Sequence, residues 1–150
     1  SGFDENYIKD AGEYAPGGFL ASAFSHRGAG PNNADYLWEI QYKIITELAE
    51  KGPCVIVGRC ADFVLRDTDA QLLRVFVSAP DEQRIRRKME QESLSLSEAK
   101  RLVAKMDKQR RKYYEGYTGQ LWGDPQNHDL NIDTSVIPIH HAVELIVSRF

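Results

Sequence analysis

Two short apolar runs constrain this chain more than any other feature. Cys54-Val55-Ile56-Val57 ends at Gly58, and Leu72-Leu73-Arg74-Val75-Phe76-Val77 ends at Ser78-Ala79-Pro80. Neither run alternates polar with apolar residues, and both are β-branched or aromatic at their centres. That pattern predicts strands buried on both faces, the habit of parallel sheets covered by helices. A third, weaker strand is read at Asp129-Leu130-Asn131-Ile132-Asp133.

Helical periodicity fills the intervals. Leu37, Ile40, Ile44, Ile45 and Leu48 recur at helical spacing from Asn33 to Lys51. Asn33 or Asp35 caps the start, and Gly52-Pro53 stops the helix. Ser78-Ala79-Pro80-Asp81 opens a second helix, with proline and acid in its first turn. Ser95-Leu96-Ser97-Glu98 has the form of a capping box ahead of Ala99, Leu102, Val103 and Met106. A last helix is predicted from about Pro138 to Phe150. Before residue 33 the chain reads as a short helix from Asp4 to about Gly12, then a Gly- and Ser-containing stretch. The order of elements predicts a single α/β domain over residues 1–150, with a mostly parallel sheet.

Composition excludes several classes. The 150 residues are 42% hydrophobic and 27% charged, as in ordinary globular proteins. No apolar run approaches the roughly 18 residues that a membrane helix needs, and the polar start does not resemble a signal peptide. A cytoplasmic protein with no membrane partner is expected. The two cysteines, Cys54 and Cys60, flank apolar residues and read as small buried thiols rather than a disulfide or zinc scaffold. His140-His141 lacks a third ligand at metal spacing, so a surface pair is expected and no metal site.

The net charge of −3 is unevenly spread. Residues 84–112 hold eleven Lys or Arg against four acids, a local balance of +7 that leaves −10 for the remainder. One concentrated basic segment in an acidic chain suggests a local anionic ligand rather than nucleic acid. Solvated basic helix faces are the alternative.

In open parallel sheets, ligands sit beyond the carboxyl ends of the strands. Gly58-Arg59-Cys60-Ala61-Asp62 follows the first run, where Gly58 permits close backbone approach and Arg59 can fork onto a planar anion such as phosphate. A strand-end arginine paired with an acid fits the same residues. Arg84, Arg87 and Lys88 follow the second run on a helix. Asp107 and Arg110 stand three apart on the next one, hence on one face. Two Arg-rich helices joined by Ser93-Leu94-Ser95 have the form of a lid over polyphosphate, mobile until ligand charge neutralises it. A solvated surface hairpin remains the competing reading. Tyr113, Tyr114 and Tyr117 are read as packing groups.

Taken in order, Val55-Ile56-Val57-Gly58-Arg59, the strand to Val77 with Ser78-Ala79-Pro80, Arg84-Ile85-Arg86-Arg87 and Asp107-x-x-Arg110 resemble bacterial cytidylate kinases. Tyr113-Tyr114 through Thr118, Trp122-Gly123-Asp124 and Asp133-Thr134-Ser135 are more similar still to the divergent cytidylate kinase-like family. The resemblance covers about residue 33 to the end. It implies a three-layer P-loop NTPase-type α/β fold with a parallel sheet, incomplete at the N-terminus, plus a helical lid over about residues 84–115. It also implies transfer of the ATP γ-phosphate, with Mg²⁺, to a nucleoside monophosphate such as CMP or dCMP. Arg59 then resembles the acceptor-phosphate arginine, with Asp62 and Arg27 on the acceptor side. Arg84 and Arg87 resemble the arginines at the opening of the lid, and Asp107 and Arg110 the pair that closes over acceptor and donor. Asp133 and Thr134 resemble the strand end bordering the adenine pocket.

Three departures accompany the resemblance. Cytidylate kinases usually carry Asp directly after this Arg, whereas Cys60-Ala61 intervene before Asp62. Val103 occupies the place of a lid arginine, leaving Arg101 or Lys105 to substitute. No G-x-x-x-x-G-K-[ST] stretch occurs in the sequence. That loop, with its strand and helix, is expected upstream in a longer gene product, adding roughly 40 to 60 residues; loss during evolution is the alternative. Oligomeric state is not legible in these residues.

Overall fold

A computed structural model describes residues 33–149. The predicted Asp4–Gly12 helix, the glycine-containing stretch and Arg27 lie outside the described residues. Five α-helices and two strands follow one another: α1 (Asn33–Lys51), α2 (Ala61–Val64), β1 (Val75–Ser78), α3 (Asp81–Glu92), α4 (Leu96–Thr118), a 3₁₀ turn (Pro125–Asn127), β2 (Leu130–Asp133) and α5 (Ile139–Val147). The described chain forms two compact units, one from residues up to Leu72 together with Gln109–Trp122, the other from Leu73–Lys108 and Gly123 onward.

The first unit is helical. Helix α1 begins at Asn33, so Asp35 lies inside its first turn and faces the positive helix end instead of preceding it. Leu37 and Ile45 are the buried members of its apolar stripe. Trp38 joins two clusters, one built on Cys60, Tyr113 and Tyr114, the other on Ile45, Ala61, Val64 and Leu65. Val64 is 2% exposed, and burying such a side chain stabilises by about 1.5–3 kcal/mol.

One expectation fails in this unit. Residues 54–57 form no strand. Ile56 packs onto the Ile45–Leu65 cluster, but Val55 is 93% and Val57 88% exposed. A strand buried on both faces needs a ladder partner for its backbone and a layer over each face. Among the described residues the only ladder is β1 with β2, which belongs to the other unit. Cys54, expected to be buried, is exposed for the same reason, while Cys60 is buried as expected.

The second unit carries the sheet. β1 and β2 pair in parallel, with Val75 opposite Leu130 and Ser78 opposite Asp133. Each strand is shorter than its apolar run. The register is fixed at its entrance: the Asp129 side chain accepts hydrogen bonds from the backbone and guanidinium of Arg74, and the Asp129 and Leu130 amides both donate to the Arg74 carbonyl. Ile132, 1% exposed, and the buried Ala99, Val103 and Ala142 form the unit's core. The capping box forms as read, since the Glu98 carboxylate accepts from the Ser95 amide at 2.9 Å and the Glu98 amide donates to Ser95 Oγ. Among the described residues a parallel α/β arrangement is therefore present, in two strands rather than three.

Candidate functional site

The Gly58–Asp62 turn is built from three successive residues in left-handed backbone. Gly58 has φ +73°, Arg59 +57° and Cys60 +54°. Glycine adopts this region freely, but Arg59 and Cys60 carry a Cβ, at a cost of roughly 1–2 kcal/mol per residue. Strain of this kind persists only where surrounding contacts over-determine it, and it concentrates at functional sites. The turn closes through the Ala61 amide to the Gly58 carbonyl at 3.2 Å, and the Cys60 carbonyl then accepts from Phe63 and Val64 to start α2.

Side chains complete it. The hydroxyl of Tyr113 in α4 donates to Gln41 Oε1 of α1 at 2.7 Å. Asp62 Oδ2 accepts from the hydroxyl of Tyr114 at 2.6 Å. Burial pushes Tyr113 above the ordinary phenol range, helped by Cys60 and Tyr117 and opposed by Arg59. Burial and the neighbouring Asp62 charge push the Cys60 thiol up to about 12, so it stays protonated and serves as packing rather than as a nucleophile.

Helices α3 and α4 carry the second group. Arg84 places Nη1 2.7 Å from Asp107 Oδ2 and donates through Nη2 to Oδ1, with Asp81 a further acceptor at 3.2 Å. The fork to Asp107 raises the Arg84 pKa above its already high ordinary value. Arg87 and Arg110 are exposed, and neither has an ion-pair partner among the described residues. The structure thus brings Arg84 and Asp107 together and leaves Arg87 and Arg110 facing solvent, each able to take an anion.

Asp133 and Thr134 stand at the carboxyl end of β2, where open parallel sheets receive ligands. Asp133 Oδ1 accepts from the Ser135 amide at 2.8 Å, and Ser135, through its side chain first and its amide second, lowers the Asp133 pKa. Thr134 donates through both its amide and Oγ1 to the Ser78 carbonyl, at 2.9 and 3.0 Å. Both side chains hold the strand-end turn.

The described residues do not by themselves compose a magnesium site: no three His, Cys, Asp or Glu side chains converge among them. His140 and His141 are exposed neighbours with rings 4.1 Å apart, a surface pair as expected. None of the described helices is long and apolar enough to cross a membrane.

Sequence reasoning missed what Tyr113 and Tyr114 do besides pack. Both are buried, at 7% and 8% exposure. The available signal was chemical, since a buried phenol takes a hydrogen-bond partner for its hydroxyl. The Arg74–Asp129 pair was missed too, although both residues stand at the entrances of adjacent strands.

Comparison with known proteins bears on this geometry. Residues 1–136 match the cytidylate kinase-like family. A cytidylate kinase from Methanopyrus kandleri is 31% identical over 96 residues, covering 59% of this chain and 50% of the relative. A cytidylate kinase from Pyrococcus horikoshii is 34% identical over 89 residues, covering 59% of this chain and 45% of the relative. The chain therefore spans about half the length of the curated relatives it matches. In structure it resembles an uncharacterized protein from Eubacterium ventriosum, with a TM-score of 0.71 and 29% identity over 76% of this chain and 71% of that one. With the family match reaching across both the Arg59 turn and the Arg84–Asp107 hairpin, the chain belongs to the cytidylate kinase-like family.

Proposed function

We propose that this chain is part of a nucleoside monophosphate kinase with a P-loop fold, passing the ATP γ-phosphate to CMP, dCMP or a similar acceptor. An oxygen of the acceptor phosphate attacks the γ-phosphorus, the bond to the β-γ bridging oxygen breaks, and ADP leaves. The observation that carries the reading is the arginine hairpin: Arg84 is held by Asp107 while Arg87 and Arg110 stand exposed on the same two helices. Phosphoryl transfer asks a protein mainly for positioning and charge neutralisation, which arginines supply.

In this reading Arg59 forks onto the acceptor phosphate, with Asp62 and Arg27 on the acceptor side. Arg84 and Arg87 open the lid of residues 84–115, Asp107 and Arg110 close it, and Asp133 and Thr134 border the adenine. Bound Mg²⁺ would neutralise polyphosphate charge. The described residues do not by themselves form its site. Named relatives that are cytidylate kinases support the acceptor class.

The second reading is a non-catalytic nucleotide-binding module, which a complete protein without a G-x-x-x-x-G-K-[ST] phosphate cradle would be. ADP release by the complete protein, measured with ATP, Mg²⁺ and each of CMP, dCMP, UMP and AMP, separates the two. Turnover with cytidine nucleotides supports the kinase. CMP binding without turnover supports the module, and turnover only with another small anionic acceptor reassigns the substrate.

A further inference from the structure

Arg84 carries N–H donors on two edges of a flat guanidinium, and the fold uses them unevenly. Its outer edge, Nη1 and Nη2, takes both oxygens of Asp107, and Nη1 also meets Asp81 at 3.2 Å. The side edge, made of Nε–H and the second Nη2–H, has no acceptor among the described residues. That edge is a complete fork in its own right. Arg74 shows it in use, its Nε and Nη2 holding the two oxygens of Asp129 at 3.0 and 2.7 Å. Arg84 keeps the same fork open. The cations expected to replace the missing lid arginine stand elsewhere. Val103, one turn before Asp107, is buried in the core. Arg101 and Lys105 are exposed, two residues to either side of it and so about 200° around the helix. Arg84 instead brings a guanidinium to Asp107 from α3, where an arginine at position 103 would bring one along α4.

We propose that Asp107 is a positioning residue that aims Arg84, and that the open edge of Arg84 takes a phosphate group of a bound nucleotide. The proposal rests on the reading of the α3–α4 hairpin as a lid over polyphosphate. It moves Asp107 from closing over the nucleotide to a place behind Arg84. A phosphate offers paired oxygens to a planar fork, as the Asp129 carboxylate does to Arg74. The Asp107 carboxylate fixes the plane of the guanidinium before the phosphate arrives, which removes part of the ordering cost from binding. It also offsets the Arg84 charge, so Arg84 acts as a directed donor while the exposed Arg87 and Arg110 supply net positive charge. The contact involves no proton transfer, since a guanidinium stays charged.

Steady-state kinetics of the complete protein test this, with CMP varied at saturating ATP and then the reverse. The variants are Arg84→Ala, Arg84→Lys, Asp107→Ala, Arg84→Ala/Asp107→Ala, Arg87→Ala and Arg110→Ala, each with a melting curve. Arg84→Ala should lower kcat/KM about ten- to a hundredfold and Asp107→Ala about three- to tenfold. The double variant should lose no more than Arg84→Ala, because Asp107 acts through Arg84. Arg84→Lys separates binding from structure. Its ammonium still pairs with Asp107, so the melting point should stay within about 4 °C of wild type. It has no second fork, however, and kcat/KM should fall about tenfold. A rise in ATP KM assigns the phosphate to the donor and a rise in CMP KM to the acceptor, whereas a fall in kcat alone assigns it to the group in transfer. A second readout is independent of turnover: the nitrogen resonance of Arg84 Nε–H, identified by its loss in Arg84→Ala, should shift when ATP or CMP binds the wild-type protein. A resonance unmoved by ATP, by CMP and by both together overturns the proposal, and it decides alone if Arg84→Lys melts early. An Arg84→Lys protein with wild-type kcat/KM also overturns it, since the pair is then structural. If Asp107→Ala still lowers kcat/KM in the Arg84→Ala background, Asp107 touches the nucleotide itself and the positioning role fails. If Arg87→Ala or Arg110→Ala impairs turnover while Arg84→Ala does not, the proposal falls and the lid reading stands. If none of the three alanine variants changes the kinetics, the lid reading fails and the proposal with it.

Discussion

Arg84 of α3 holds Asp107 of α4 through both terminal nitrogens, and the two side chains are only 26% and 21% exposed. They stand 23 residues apart, on either side of the Ser93-Leu94-Ser95 connection, so this fork pins the helical hairpin near its base. Partial burial shields the pair from the screening that makes surface ion pairs nearly worthless. The hairpin also carries the densest positive charge in the chain, and its one forked acid offsets some of the internal repulsion.

Asp107→Ala is expected to lower stability by about 1–2 kcal/mol, because Arg84 would keep only its single longer contact to Asp81. Arg84→Ala should cost a similar amount, and the double variant little more than either alone. A double-mutant cycle by denaturant unfolding measures this. Additive losses would mean that the two residues act separately.

The Arg74–Asp129 pair makes stability depend on acid pH. Hydrogen bonding from the Arg74 side chain, above all, holds the Asp129 carboxyl down to about 2, against an ordinary 3.8. A carboxylate depressed in the folded state contributes fully above its unfolded value and loses the contribution as pH falls through the folded one. The stability gap between wild type and Asp129→Asn should stay constant above about pH 5 and close between about pH 4 and pH 2. Side-chain exposures of 34% and 37% limit its size to about 1 kcal/mol after solvent screening. Melting curves from pH 2 to pH 7 check the window; a gap that widens in acid contradicts the assignment.

The longer helices were legible because each signals itself locally, whereas the single turn of α2 (Ala61–Val64) was not read at all. Asn33–Lys51 has its stripe and its Gly52-Pro53 stop, and α4 has the Ser95–Glu98 box. β1 and β2 were legible in part, their apolar centres forming strands while the flanking residues serve other bonds, such as those of Arg74 to Asp129. Cys54–Val57 was misread because strand formation is not local. Its apolar residues satisfy the pattern, yet a ladder exists only where another backbone lies alongside. At the site, Arg59 and Arg84 stood out by charge and position. The left-handed backbone of Arg59 and Cys60 did not, since neither residue type favours it and tertiary contacts impose it.

Gly123→Ala should destabilise the second unit for two separable reasons. Gly123 has φ +78°, and a Cβ there would lie 3.0 Å from Cζ of Phe76, whose ring packs against His128 at 5.0 Å. Gly119 has φ +68° but nothing within 4 Å of its Cβ position. Gly119→Ala therefore pays only the backbone term of roughly 1–2 kcal/mol, and Gly123→Ala pays that plus the displacement of Phe76. Unfolding free energies should rank Gly123→Ala below Gly119→Ala. Equal losses would show that the ring moves aside without cost.

The strained turn at Arg59 allows backbone and side chain to be tested apart. Arg59→Ala removes the guanidinium but keeps a Cβ at φ +57°. Arg59→Gly removes the guanidinium and the strain together. Both variants lose whatever the guanidinium contacts, so that loss cancels when they are compared. Relief of the left-handed penalty favours glycine by roughly 1–2 kcal/mol, and glycine's greater freedom in the unfolded chain returns about 0.5–1 kcal/mol of that. The glycine variant should thus be the more stable by up to about 1.5 kcal/mol, the reverse of the usual order. Function should follow the guanidinium instead: both variants should lose about ten- to a hundredfold in kcat/KM for CMP in the complete protein, with ATP spared. Arg59→Lys should recover part of it, since an ammonium keeps the charge without the planar fork. An alanine variant more stable than the glycine one would show that residue 59 is not held in left-handed backbone. Unchanged kcat/KM in both would make Arg59 a structural residue of the turn and nothing more.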